Sequence, residues 1–140
     1  MRKRTLAREC ALKVLYQMDI TNSSIDDLKD TFWSMCAGRE ISADVKEYFL
    51  ILIEGVSRNI SPIDKKISHY ATNWQIKRMA VVDRNILRIG CFELLFRDDI
   101  PPKVAINEAV ELAKKYSSPE AGKFVNGVLD KVKSEKEKVK

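Results

Sequence analysis

Val82-Asp83-Arg84-Asn85-Ile86-Leu87-Arg88-Ile89-Gly90-Cys91-Phe92-Glu93-Leu94-Leu95-Phe96 is the stretch on which the fold turns. Wound at 3.6 residues per turn, its apolar positions (Val82, Ile86, Leu87, Ile89, Cys91, Phe92, Leu94, Leu95, Phe96) point almost all round. A helix of that kind has no solvent face to spare and belongs at the centre of a bundle, contacted from several sides.

Outward from it the helical period persists. Asp98-Asp99-Ile100-Pro101-Pro102 is a short connection closed by helix-breaking proline. Lys103–Tyr116 follows with Ala105, Ile106, Ala109, Leu112 and Ala113 inward. Ser118-Pro119 is a cap followed by a proline at the first turn, and Ala121, Val125, Val128, Leu129 and Val132 form the last stripe.

Upstream, residues 4–18 place Leu6, Cys10, Ala11, Val14 and Met18 on one stripe, with Arg8, Leu12 and Tyr16 off it on a second, polar and basic face. Asn22-Ser23-Ser24 is a break, residues 25–36 form a weaker helix with Leu28, Phe32 and Met35, and Gly38 stops it. Ala43–Asn59 carries Val45, Tyr48, Phe49, Leu52 and Val56 at ideal helical spacing. Ser61-Pro62 opens a helix whose stripe is Ile63, Ile67, Tyr70 and Trp74. About seven helices with short connections and no strand alternation predict an all-α bundle. A single domain is expected over 1–133, with N-terminal helices over about 1–75 and C-terminal helices over about 82–133, divided near Gln75-Ile76-Lys77-Arg78-Met79. Residues 134–140 are expected to be a disordered charged tail.

Composition agrees and excludes. The chain has 140 residues, 45% hydrophobic and 32% charged, with only 5 Gly and 4 Pro, which favours long helices over turn-rich β structure. No apolar run reaches the roughly 18 residues of a membrane span. The basic start, Met1-Arg2-Lys3-Arg4, is not followed by the apolar stretch of a signal peptide, so a cytoplasmic location and no membrane association are expected. Cys10, Cys36 and Cys91 are widely spaced with no C-x-x-C, so all three thiols are expected free and no zinc site is expected.

The net charge of +5 is unevenly spread: residues 1–8 carry Arg2, Lys3, Arg4 and Arg8 with no acid, residues 19–47 sum to −4, and residues 131–140 to +3. A basic first helix can concentrate a polyanion, while frayed, solvated ends account for the same charge.

Chemistry is scarce. There is no phosphate-cradling glycine motif, and Asn107, Glu108 and Glu111 read as a solvated helix face. Cys91 sits in the most apolar helix and reads as an inert thiol, and His69, the lone histidine, lacks a visible catalytic partner. No enzyme activity and no cofactor are expected. Tyr48, Phe49, Phe92 and Phe96 lie at core spacing. Tyr16, off the stripe of a basic helix, and Phe124, between Lys123 and Asn126, have the neighbours that stacking on an unpaired base requires; packing between subdomains would use them equally well.

Ile100-Pro101-Pro102-Lys103-Val104-Ala105-Ile106-Asn107-Glu108-Ala109-Val110-Glu111-Leu112-Ala113-Lys114-Lys115-Tyr116, continued by Lys123-Phe124-Val125-Asn126-Gly127-Val128-Leu129-Asp130, resembles the signature of the NusB family of bacterial transcription antitermination proteins. Val82–Gly90 with Glu93-Leu94-Leu95, and Ala7–Ala11 with Leu15-Tyr16, resemble the same family, so the close match covers roughly half the chain. The resemblance implies two small helical subdomains and binding of boxA-type single-stranded RNA in ribosomal-RNA leader transcripts. It implies NusE, a ribosomal protein of the small subunit, as partner within an RNA polymerase antitermination complex, with no catalysis. The stand-alone factor is expected rather than the form fused to an RNA methyltransferase. Arg4 and Arg8 fall at the family's arginine-rich RNA-contacting end, in the cluster that includes Arg2. Tyr16 falls at a ring lining the RNA site, Asp83 at a base-contacting acid, and Glu120 and Phe124, beside Lys123, at positions facing RNA. Thr5 and Leu6 interrupt a cluster often more continuously basic in the family, and Gly127 is expected to permit close helix packing. The competing reading is a helical adaptor whose chief ligand is protein.

Overall fold

The computed structural model describes residues 3–28, 41–71 and 74–139, and Arg2, Phe32, Met35, Cys36 and Gly38 lie outside the described residues. Seven α-helices and one 3₁₀ turn make up the described chain: α1 (Lys3–Thr21), α2 (Ile25–Leu28), α3 (Ala43–Arg58), α4 (Ile60–Tyr70), the 3₁₀ turn Ile76–Arg78, α5 (Val81–Phe96), α6 (Pro102–Tyr116) and α7 (Pro119–Val139). No helix among the described residues is long and apolar enough to cross a membrane.

The helix ends follow local chemistry. Asn22 leaves α1 through the left-handed region at φ 58°, which asparagine tolerates better than most side chains. Ser42 caps α3, its Oγ accepting from Val45 N at 3.3 Å, and Ser118 caps α7, its Oγ accepting from Ala121 N at 3.0 Å. Pro102 opens α6, where its missing N–H costs nothing. Ile60, rather than Ser61, starts α4, with Ile63 N donating to Asn59 O at 3.0 Å.

The chain divides at Arg58–Asn59 into two compact units, so the boundary lies well before the 75–81 gap expected from composition. The gap holds the 3₁₀ turn Ile76–Arg78 inside the second unit, and a gap between helices marks a turn whether or not a unit ends there. In the first unit α1 packs along α3, with α2 touching both. Ala7, Cys10, Ala11 and Val14 are buried there, as are Val45, Phe49, Leu52 and Val56. In the second unit α5 contacts α4, α6 and α7, the central position its apolar circumference requires.

Several expectations are corrected. Arg8 and Leu12 are buried while Tyr16 is exposed, so the second face of α1 is open only towards its later turns. Helix α4 ends at Tyr70, with Ala71 N donating to Ile67 O ahead of Thr72 and Asn73, two weak helix formers, so Trp74 does not join its stripe. Phe96, at the last turn of α5, is nearly half exposed while its ring stacks on Phe92 at 5.7 Å. The basic tail is helical to Val139, and two of its charges hold it to the second unit: Glu135 Oε1 accepts from Lys66 Nζ at 2.6 Å, and Lys136 Nζ donates to the Leu94 carbonyl at the end of α5.

Gly127 faces open space. Gly90 is instead the glycine that close packing uses, since a Cβ there would stand 2.6 Å from Leu129 Cδ1. Cys10 is disulfide-bonded, which corrects the expectation of three free thiols; Cys91 is free and buried. Distance along a chain says nothing about the few ångströms that a disulfide requires in space.

Candidate nucleic-acid interface

In the first unit the basic start of α1 meets one aromatic ring. Arg4 and Arg8 stand one helical turn apart on the same face. Their guanidinium carbons lie 4.6 Å and 5.7 Å from the centre of the Tyr48 ring on α3. Each such contact contributes about 0.5–2 kcal/mol, more where water is excluded. The two arginines differ in access: Arg4 is exposed, whereas Arg8 is only 2% exposed. Arg8 is therefore a buried charge on the ring, while Arg4 is the more accessible of the two. Tyr16 lies two turns beyond Arg8 and is 39% exposed, large for an aromatic on a well-packed helix. Tyr48 read as core in sequence; it is buried, and its face carries the arginines.

The second unit holds a groove of about 360 Å³ between the first turns of α5 and α7. Asp83 on α5 and Glu120 and Phe124 on α7 line it, together with Met79, Ala121, Ser118, Trp74 and Arg78. Glu120 and Phe124 are four apart and so share a helix face. Both acids sit in first turns, where unsatisfied N–H groups favour a carboxylate. Asp83 Oδ1 is buried and accepts no hydrogen bond among the described residues. A buried acceptor without a donor is costly by about 1–3 kcal/mol, so this oxygen takes its hydrogen bond from outside the chain, from water or from a ligand in the groove. Phe124 is half-buried, with part of its ring open to the groove, and Lys123 is exposed beside it without lining the groove.

The structure thus gathers Asp83, Glu120 and Phe124 into one groove and Arg4 and Arg8 onto one ring. Sequence reasoning missed Tyr48, Trp74 and Arg78. The rule applied to Tyr16 and Phe124, an aromatic with cationic and amide neighbours, also selects Trp74 in Trp74-Gln75-Ile76-Lys77-Arg78. Among the described residues no group of three His, Cys, Asp or Glu side chains is placed to hold a metal ion.

Comparison with known proteins gives a consistent answer. The model of the NusB family matches residues 5–134. The transcription antitermination protein NusB of Anaeromyxobacter dehalogenans is 48% identical over 132 residues, covering 94% of this chain and 91% of that one. Among solved structures, NusB of T. maritima is 38% identical with a TM-score of 0.83, covering 99% of this chain and 97% of that one. A chain in the crystal structure of the antitermination factors NusB and NusE in complex with double-stranded RNA is 34% identical with a TM-score of 0.86, covering 96% and 98%.

Proposed function

The chain belongs to the NusB family, and from that membership we propose that it is an RNA-binding transcription antitermination factor that reads boxA-type RNA together with NusE. The observation that carries the reading is the unpartnered Asp83 oxygen in a groove shared with the Phe124 ring. A ring offers a stacking platform, and a carboxylate oxygen accepts from a base amino group. Both contacts need a base that is unstacked and unpaired, which favours single-stranded RNA. A solved relative's complex with NusE and RNA supports the same pairing of partners.

On this reading Asp83, Glu120, Lys123 and Phe124 bind RNA on α5 and α7, while Arg2, Arg4, Arg8 and Tyr16 bind it at the start of the chain. Arg4 contacts phosphate directly, and the buried Arg8 adds to the field that attracts the polyanion. The chain acts by binding, with no cofactor, as one component of the RNA polymerase antitermination complex in the cytoplasm.

The test is fluorescence anisotropy with a short boxA-type RNA, with and without purified NusE, against a scrambled RNA and the boxA duplex. The pair is expected to prefer the single strand over both competitors, with affinity falling steeply as salt is added. Asp83→Asn and Phe124→Ala are expected to reduce the preference for boxA over the scrambled sequence. A pair that binds boxA no better than scrambled RNA overturns the reading and leaves a protein-binding adaptor in its place.

A further inference from the structure

Trp74 presents an aromatic surface that the groove at Phe124 does not use up. Its side chain is 55% exposed, unusual for the most costly side chain to leave in water. It stands between two cavities. On one side is the groove of Asp83 and Phe124; on the other is a more open cavity of about 560 Å³ lined by Ser68, Gln75, Ile76, Lys77 and Arg78. Trp74 and Arg78 line both. The linings differ in charge: the first sets two carboxylates against Arg78, whereas the second holds Lys77 and Arg78 and no acid.

The backbone beneath is fixed. Trp74 N donates to Ala71 O at 3.0 Å, Arg78 N to Gln75 O at 2.9 Å and Met79 N to Ile76 O at 3.3 Å. Arg84 Nη1 lies 3.5 Å from both the Ile76 and Lys77 carbonyls, tying the turn to α5, and Met79 is buried. Backbone hydrogen bonds on both sides of Trp74 reduce the ordering that its main chain must undergo when the indole takes a ligand.

We infer that Trp74 is a second base-stacking subsite: single-stranded RNA leaving the Asp83–Phe124 groove lays a neighbouring base on the Trp74 indole, with Lys77 and Arg78 taking the flanking phosphates. The inference rests on the RNA-binding reading above and extends its path by at least one nucleotide. Indole is the largest stacking platform among the side chains, stacking tolerates any base, and the cations supply the charge a phosphate backbone demands. The absence of an acid from this cavity's lining argues against a basic peptide as the occupant.

The test uses the full chain with NusE and a boxA-type RNA, alongside RNAs trimmed one nucleotide at a time from either end. Trp74→Ala is expected to weaken the full RNA by about 5- to 150-fold, the effect of removing one stacking platform. Trp74→Phe is expected to restore most of the affinity, and Lys77→Ala to flatten the salt dependence by about one phosphate contact. One series of trimmed RNAs is expected to reach a length at which Trp74→Ala and wild type bind alike. If Phe124→Ala and Asp83→Asn weaken binding while Trp74→Ala does not, the RNA reading stands and the second subsite is overturned. If none of the three weakens it, the RNA reading itself fails. If Trp74→Ala instead impairs NusE binding in the absence of RNA, the indole is a protein contact, and the inference is equally overturned.

Discussion

Arg88 on α5 grips Asp64 on α4 with both arms of its guanidinium, Nε donating to Oδ1 and Nη2 to Oδ2, each at 2.9 Å. Its remaining nitrogen, Nη1, donates to Asn85 Oδ1 at 3.0 Å, and Asn85 Nδ2 donates to the Val81 carbonyl at 2.8 Å. Three polar side chains, Asn85 and Arg88 on α5 and Asp64 on α4, are thereby joined in one network. Lysine cannot reproduce the fork. Arg88→Lys is expected to cost about 1–2 kcal/mol of stability, measured by urea unfolding, because the pair is only partly shielded from water. An unchanged unfolding midpoint would mean that the network adds nothing beyond packing.

Two of the helical glycines, Gly90 and Gly127, make an opposed pair. Gly127→Ala adds a methyl group to open space and removes the helix penalty of glycine, so it is expected to stabilise by up to about 1 kcal/mol. Gly90→Ala drives a methyl group into Leu129, itself fully buried, and Ala109 Cβ stands 3.4 Å away. Overpacking of about 1–3 kcal/mol outweighs the helix gain there, so a lower melting temperature is expected. Thermal unfolding of the two variants side by side decides it; a stabilised Gly90→Ala would contradict the close approach of α5 and α7.

Burial pushes the Cys91 thiol up to about 12. Because the folded value lies above the ordinary thiol range of about 8.5, its contribution to stability is complete below that range. It is lost as the pH rises toward 12, where the unfolded chain ionises first. Wild type is therefore expected to lose more stability between about pH 9 and pH 11 than Cys91→Ala does. Below that window the two profiles should run parallel, with the variant lower by a cavity cost. Thiol labelling at neutral pH should reach Cys91 only on unfolding. Rapid labelling of Cys91 in the folded chain would show that it is neither buried nor inert.

Tyr16 and Phe124 differ in exposure, and their variants should differ accordingly. Tyr16→Ala removes a ring already open to solvent and is expected to leave the melting temperature nearly unchanged while weakening RNA binding by about 1–3 kcal/mol. Phe124→Ala is expected to cost a similar amount of RNA affinity with a modest loss of stability, since part of its ring is buried. Arg8→Ala should lower both stability and RNA affinity, because its guanidinium is buried on Tyr48. A large stability loss for Tyr16→Ala would make that ring a core residue and remove it from the RNA surface.

Helical periodicity, serine caps and prolines at first turns act over a few residues, so the sequence alone determines the all-α class, most helix positions and the central place of Val81–Phe96. The apolar circumference of α5 required neighbours whatever those neighbours were. Chemistry tied to distant parts of the chain was decided only by the tertiary structure. Whether Arg8 faces water or the Tyr48 ring depends on α3, 40 residues further along. Whether the basic tail frays depends on Lys66 and on the end of α5, and which glycine permits close packing depends on Leu129. Trp74 kept the spacing of a core stripe, and only the end of α4 at Tyr70 turned it outward. Local free energies are written in neighbouring residues, whereas burial, ion pairing and the groove at Asp83 arise when remote segments share one space.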